Sequence, residues 1–286
     1  MFKNHWFDCP DAHGHHRLHY LRWGAADNPR VLVCVHGLTR NARDFDALAS
    51  ALKQDYQILC PDIVGRGASD WLDDPKDYGY VQYVQDMLAW LQHLKLETVD
   101  WLGTSMGGII GMLIAAQANS PIRRLILNDV GAMIPKTALE RIASYLTQPA
   151  PNFATLAIAE QYIRKVHAPF GPLSDAQWRH LSEHSLRPAL SGGLQLAYDP
   201  SIALAFQGTQ VDVSLQPVWD ALRCPILVLH GAESDLLLPE TLAQMQASQP
   251  QAQVVSFPGI GHAPALMAAE QIRVVHDWLL SDKRRD

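Results

Sequence analysis

The stretch "DWLGTSMGGIIG", residues 100–111, interrupts an apolar run with Gly-Thr-Ser-Met-Gly-Gly. Upstream, "TVDWL" reads as a buried strand, and downstream "MGGIIGMLIAAQA" reads as a helix. A small hydroxyl residue and three glycines therefore occupy the turn between them. A strand that passes directly into a helix holds the central residue of the turn, Ser105, in a strained backbone conformation. Gly103 and Gly107, two residues to either side, remove the Cβ atoms that would collide there. The pattern G-x-S-x-G alone arises by chance in about one chain of this size in ten. Its weight comes from the strand–turn–helix setting and from partners elsewhere in the chain.

Working outward, short β-rich apolar runs alternate with longer amphipathic segments. Candidate strands are 17–23, 31–35, 56–60, 98–102, 123–128, 225–230 and 253–257, and helix-like segments lie near 42–53, 81–94, 106–118, 240–248 and 267–280. That alternation predicts an α/β fold with a mostly parallel central sheet flanked by helices. It fails between about Gly131 and Val213, where helical patterns with Pro punctuation continue without a convincing strand. This segment reads as an inserted helical cap, 131–213, on a core domain formed by 1–130 and 214–286. Its aromatics, including Tyr145, Phe153, Tyr162, Phe170, Trp178 and Phe206, suit either a pocket lining or packing onto the core.

A serine hydroxyl is a weak nucleophile at neutral pH and needs a base within hydrogen-bond reach and an acid to hold that base in the right tautomer. Both occur later. "CPILVLHGAESDLLLP" is a strand followed by a loop with Asp235, and "VVSFPGIGHAPAL" is a strand followed by a loop with His262. In an open α/β sheet, loops after the carboxyl ends of parallel strands gather on one edge, so distant residues meet there. Ser105, Asp235 and His262 are thus the expected catalytic residues. Asp129, which ends the strand in "LILNDVGA", is the rival acid.

Four motifs in order, "LVCVHGLTRN", "GTSMGG", "GAESDLLLP" and "GIGHAP", resemble those of α/β-hydrolase-fold serine hydrolases, over nearly the whole chain and most weakly in the insertion. The resemblance implies the α/β-hydrolase fold, a carboxylesterase-like activity and an oxyanion hole formed by the backbone N–H groups of Leu38 and Met106. Gly37 would admit close approach of the backbone there. The expected function is a serine carboxylesterase that hydrolyses small to medium esters through an acyl-enzyme. Two alternatives stand beside it: hydrolysis of a C–C bond in ring-cleavage products, and hydrolysis of hydroxyalkanoate oligomers, to which "HGLTRNARDF" is similar. A ligand-sensing binding protein on the same fold is the alternative of another class.

Composition bounds the rest. The 286 residues are 48% hydrophobic and 18% charged, enough to bury one substantial core, and the net charge of −6 offers no general attraction for nucleic acid. A small-molecule ester is the expected partner, with no nucleic acid and no membrane; a homo-oligomer is compatible with the composition. No cofactor and no metal are expected. "MFKNHWFDCP" lacks the apolar core of a secretory signal, so the expected location is cytoplasmic. The uncharged run Trp101–Ile122 carries too many Gly, Asn and Pro breaks for a membrane span and reads as strand plus helix. Cys9, Cys34, Cys60 and Cys224 have no C-x-x-C spacing and are expected as reduced thiols. His13, His15, His16 and His19 are expected in a solvated loop. His36 and His230, each before a Gly at a strand end, are expected to brace loops, and Asp62, Arg66 and Asp70 in "CPDIVGRGASD" to be scaffold. Arg40 is expected to pair with Asp44, Asp46 or Asp62 rather than with a substrate carboxylate.

Overall fold

In the computed structural model, which describes residues 2–208 and 210–281, an eight-stranded sheet forms the centre of the molecule. Residue 1 and residues 282–286 of the expected core, and Thr209 of the expected insertion, lie outside the described residues. In chain order the sheet takes β1 (Lys3–Asp11), β2 (Gly14–Trp23), β3 (Val31–Val35), β4 (Gln57–Pro61), β5 (Val99–Thr104) and β6 (Ile122–Asn128). Five short strands follow: β7 (Met133–Ile134), β8 (Asn152–Phe153), β9 (Leu186–Pro188), β10 (Leu194–Leu196) and β11 (Val213–Ser214). The sheet resumes with β12 (Ile226–Gly231) and β13 (Gln253–Phe257), and its spatial order is β1-β2-β4-β3-β5-β6-β12-β13. The last six strands of that order are parallel, and β1 and β2 add an antiparallel hairpin at one edge.

The parallel strands read as continuous apolar runs because helices cover both faces. On one face Val33, Val35, Trp101, Leu125, Leu127 and Val228 pack with α2 (Tyr80–His93), α3 (Met106–Ala115), α7 (Gln216–Ala221) and α8 (Pro239–Ser248). The alternate residues Leu32, Cys34, Leu102, Ile126, Leu227 and Leu229 face α1 (Asp46–Leu52) and α9 (Ala269–Leu280). The period-two alternation of each strand therefore feeds two cores, which is why neither face shows a polar stripe in the sequence. The run 101–122 is strand, helix and the start of the next strand, as its Gly and Pro content requires. Among the described residues no helix is long and apolar enough to cross a membrane.

Between β6 and β12 the chain leaves the sheet and forms α4 (Lys136–Leu146), α5 (Leu156–Val166) and α6 (Asp175–His184). Contrary to the expectation of no strand here, β8, β10 and β9 form a three-stranded antiparallel sheet and β7 pairs with β11. Strands of two or three residues are too short for periodicity to register them.

The N-terminal histidines correct a second expectation. His16 and His19 lie on β2, in a hairpin whose partner β1 has too little buried apolar surface to be read as a strand. His13 lies in the hairpin turn and His15 on β2, both exposed, while His16 and His19 are buried on opposite faces of the strand. The His16 ring lies 2.9 Å from Asp11 and 2.9 Å from Asp86, and the His19 ring lies 2.7 Å from Asp62. Burial opposes charge on His16, yet its bonds to Asp86 and Asp11 prevail and raise its pKa. Cys9 is buried beside this group, so a thiol and two carboxylates stand around His16. Cys34 and Cys60 are buried in β3 and β4.

Candidate active site

Ser105 closes β5 and opens α3 with φ 51° and ψ −114°, a conformation that L-residues adopt at a cost. Neighbouring chains leave no room for side chains around it. A Cβ on Gly103 would lie 2.2 Å from the Gly107 carbonyl, and one on Gly107 would lie 2.2 Å from the Val35 carbonyl oxygen. The glycines of the motif are thus required by close backbone approach. The backbone N–H of Ser105 donates to the Asn128 carbonyl at 3.0 Å, which ties the turn to the end of β6.

Ser105 Oγ lies 3.0 Å from His262 Nε2, as the order of motifs leads one to expect. The carboxylate bonded to His262 is not the expected one. His262 Nδ1 lies 2.8 Å from Asp129 Oδ2, whereas Asp235 pairs with Arg141 of α4 on a partly exposed surface. The expected pairing of His262 with Asp235 is therefore replaced by His262 with Asp129, and the reason is topological. Asp129 follows β6, which lies beside the β5 strand that carries Ser105, and it turns there with φ 57°. The loop after β12 approaches through Gly231 and Ser234 instead. The Gly231 N–H donates to Asp129 Oδ1 at 2.8 Å and the Ser234 hydroxyl to Oδ2 at 2.6 Å. Asp129 is fully buried, and these donors satisfy both of its oxygens without solvent. Ser234 was missed in the sequence, where it is one letter of "GAESD" with no signal separating it from Asp235.

The expected oxyanion loop lies where the motif places it: a Cβ on Gly37 would stand 3.7 Å from the Ser105 Cβ. His36 Nε2 accepts from the Ile63 N–H at 2.9 Å, so Nδ1 is the protonated nitrogen and donates to the Gly37 carbonyl at 2.7 Å. Burial lowers the His36 pKa to about 4, which keeps this arrangement neutral. C=O and N–H of one peptide point in opposite directions. Holding the Gly37 oxygen therefore also sets the direction of the Leu38 N–H. Met106 is the first residue of α3, and its N–H has no acceptor within the helix. Arg66 donates to the Leu38 and Val64 carbonyls, and Asp62 accepts from the N–H groups of Ala42 and Ala68. Asp70 binds the side chain of Arg17. These residues are scaffold. So is His230, which bridges Ser256 and the Leu237 carbonyl.

A cavity of about 60 Å³ beside Ser105 and His262 is lined by Leu38, Arg141, Ile142, Tyr145, Val166, His167 and Phe170, among others. A smaller one of about 20 Å³ shares Thr39, Arg40, Tyr145, Val166 and His167 with it and ends on Tyr162, Ser185, Leu196 and Tyr198. Tyr145, Tyr162 and Phe170 thus line the site, while Phe153 and Trp178 are buried in packing. Arg40 is buried, donates twice to Asp44 at 2.9 and 2.6 Å and once to Ser185 at 2.7 Å, so its guanidinium is the structural pair expected of it. A larger cavity of about 740 Å³ shares no lining residue with the Ser105 site; it sits near Ile122 and Pro225, at the amino ends of β6 and β12. The hydrogen-bonded serine and imidazole line the 60 Å³ cavity and not this one.

Residues 32–274 match the model of the "Alpha/beta hydrolase family". The chain is 44% identical over 275 residues to the 3-hydroxybutyrate-oligomer hydrolase of Cupriavidus necator, covering 93% of this chain and 94% of that one. Among solved structures, a protein from Rickettsia typhi superposes with a TM-score of 0.91 at 33% identity, over 98% of both chains. An alpha/beta hydrolase from Novosphingobium aromaticivorans superposes with a TM-score of 0.86 at 38% identity, over 97% of this chain and 98% of that one.

Proposed function

Since the chain belongs to the alpha/beta hydrolase family and is a hydrolase, we propose that it cleaves the ester bonds of short linear 3-hydroxybutyrate oligomers with Ser105 as nucleophile. The observation that carries this reading is near full-length similarity to an oligomer hydrolase in a chain where Ser105, His262 and Asp129 stand in hydrogen-bonded sequence. It narrows the general carboxylesterase to one class of ester, which the sequence reading held as an alternative.

In the mechanism, Ser105 Oγ attacks the ester carbonyl carbon while His262 Nε2 removes its proton. Asp129 holds the imidazole by Nδ1–H and offsets the charge of the imidazolium. The Leu38 and Met106 N–H groups receive the developing oxyanion, each contributing about 3–4 kcal/mol to the transition state. His262 then protonates the departing hydroxyl of the shortened oligomer. Water, deprotonated by the same imidazole, releases 3-hydroxybutyrate or a short oligomer from Ser105. The residues named need no metal or cofactor for these steps.

The test is release of 3-hydroxybutyrate from its linear trimer by the wild-type protein and by Ser105→Ala, with p-nitrophenyl butyrate alongside. Trimer cleavage that vanishes in Ser105→Ala is expected, as is fluorophosphonate labelling at Ser105. Turnover of the p-nitrophenyl ester with an untouched trimer would return the protein to general ester hydrolysis. An adduct mapped to another residue would remove Ser105.

A further inference from the structure

The wall shared by the two cavities beside Ser105 is formed by Thr39, Arg40, Tyr145, Val166 and His167. Arg40 is spent on Asp44 and Ser185. His167, which caps the C-terminus of α5, is placed differently. Its Nε2 lies 3.4 Å from Arg40 Nη1, and a guanidinium has no lone pair to accept a proton, so Nε2 is the acceptor and the ring proton resides on Nδ1. Nδ1 has no protein partner among the described residues and is not sealed from solvent. Phe170 stacks on the same ring with centroids 4.8 Å apart and an interplanar angle of 29°, which limits how it can turn.

We infer that His167 is a specificity-determining residue, its Nδ1–H donating a hydrogen bond to the oxygen on C3 of the acyl unit attacked by Ser105. This deepens the ester-hydrolase reading of the Ser105 site and rests on it. In a 3-hydroxyacyl ester that oxygen stands two carbons from the reacting carbonyl, as a free hydroxyl on a terminal unit or as an ester oxygen within an oligomer. Either form accepts a hydrogen bond, and a plain alkanoate offers nothing in its place. Beside it, Val166, Phe170 and the Tyr145 ring suit the apolar parts of the chain. Burial and the positive charge of Arg40 push the His167 pKa well below the usual imidazole range, so the ring stays neutral at physiological pH. Its polarity is then fixed by Arg40: acceptor on one nitrogen, donor on the other. Asp44 and Ser185 act through Arg40 as positioning residues.

The experiment compares kcat/KM for ethyl 3-hydroxybutyrate and ethyl butyrate, two esters that differ by the C3 hydroxyl alone. The wild type is expected to favour the hydroxy ester by up to about tenfold, the contribution of one hydrogen bond. In His167→Phe, which keeps an aromatic ring against Phe170, the ratio is expected to fall to near one whatever the absolute rates. His167→Asn, whose amide N–H reaches roughly where Nδ1–H stood, is expected to recover most of the preference. A wild-type ratio of one overturns the inference without any variant, and so does a ratio unchanged in folded His167→Phe. Because both esters are monomeric, a preference for the hydroxy ester in a protein that leaves the trimer intact would sink the oligomer reading and leave His167 standing.

Discussion

The loops after β6 and β12 leave neighbouring strands at the same edge of the sheet, and each carries an aspartate, yet the two carboxylates live in different environments. Asp129 is fully buried and receives the Gly231 N–H, the Ser234 hydroxyl and the His262 ring. Asp235 is about half exposed and holds Arg141 of α4. The second loop reaches the site through its backbone and through Ser234, one residue before Asp235, so a loop can hold a buried carboxylate that it does not supply. Exposure decides which aspartate suits the role. A buried carboxylate with fixed donors keeps an imidazole in one tautomer, while a solvated one would be screened and mobile.

Three substitutions press on that contrast. Asp129→Asn carries the largest expected effect, a fall in kcat of about 10⁴-fold with the fold retained, because an amide stabilises the wrong tautomer and cannot offset the imidazolium. Near-normal turnover in a folded Asp129→Asn protein would break the comparison outright. Ser234→Ala should come next. Loss of the hydroxyl that donates to Asp129 and accepts from the Leu236 and Leu237 N–H groups is expected to lower kcat about tenfold and stability by about 1–3 kcal/mol, read by denaturant titration. An unchanged rate would mean that Gly231 alone suffices to hold the carboxylate. The smallest effect is expected from Asp235→Asn, with kcat/KM within about threefold of wild type and a stability change of about 1 kcal/mol or less, as for other exposed ion pairs. A loss approaching that of Asp129→Asn would restore Asp235 as the acid in solution.

How far the sequence carries is clear from the same residues. Ser105 and His262 were legible because each sits in a turn whose glycines and flanking strand announce it. The acid was not, since both aspartates follow apolar strands and periodicity says nothing of which loop tip turns inward. The parallel strands were legible to within a residue or two because burial on both faces makes them uninterrupted apolar words. Strand β1 was invisible for the opposite reason: it sits at the sheet edge with most residues exposed. His16 and His19 were misplaced with it, because their carboxylate partners Asp86 and Asp62 lie far along the chain. His167 carries no motif; its meaning comes from Arg40, more than a hundred residues earlier.

Strands β7 and β11 pair Ile134 with Val213 and Met133 with Ser214, and the Leu215 N–H donates to the Ala132 carbonyl at 2.7 Å. The chain therefore departs from the sheet and returns to it through two adjacent backbones, like a loop of thread drawn through one eyelet. Everything strung beyond that eyelet, Tyr145 and His167 included, is gathered at its base by this short ladder, while Ser105, Asp129 and His262 stand on the near side. A change at the eyelet therefore shifts the far wall of the Ser105 cavity as one piece and leaves the serine, imidazole and carboxylate where they are.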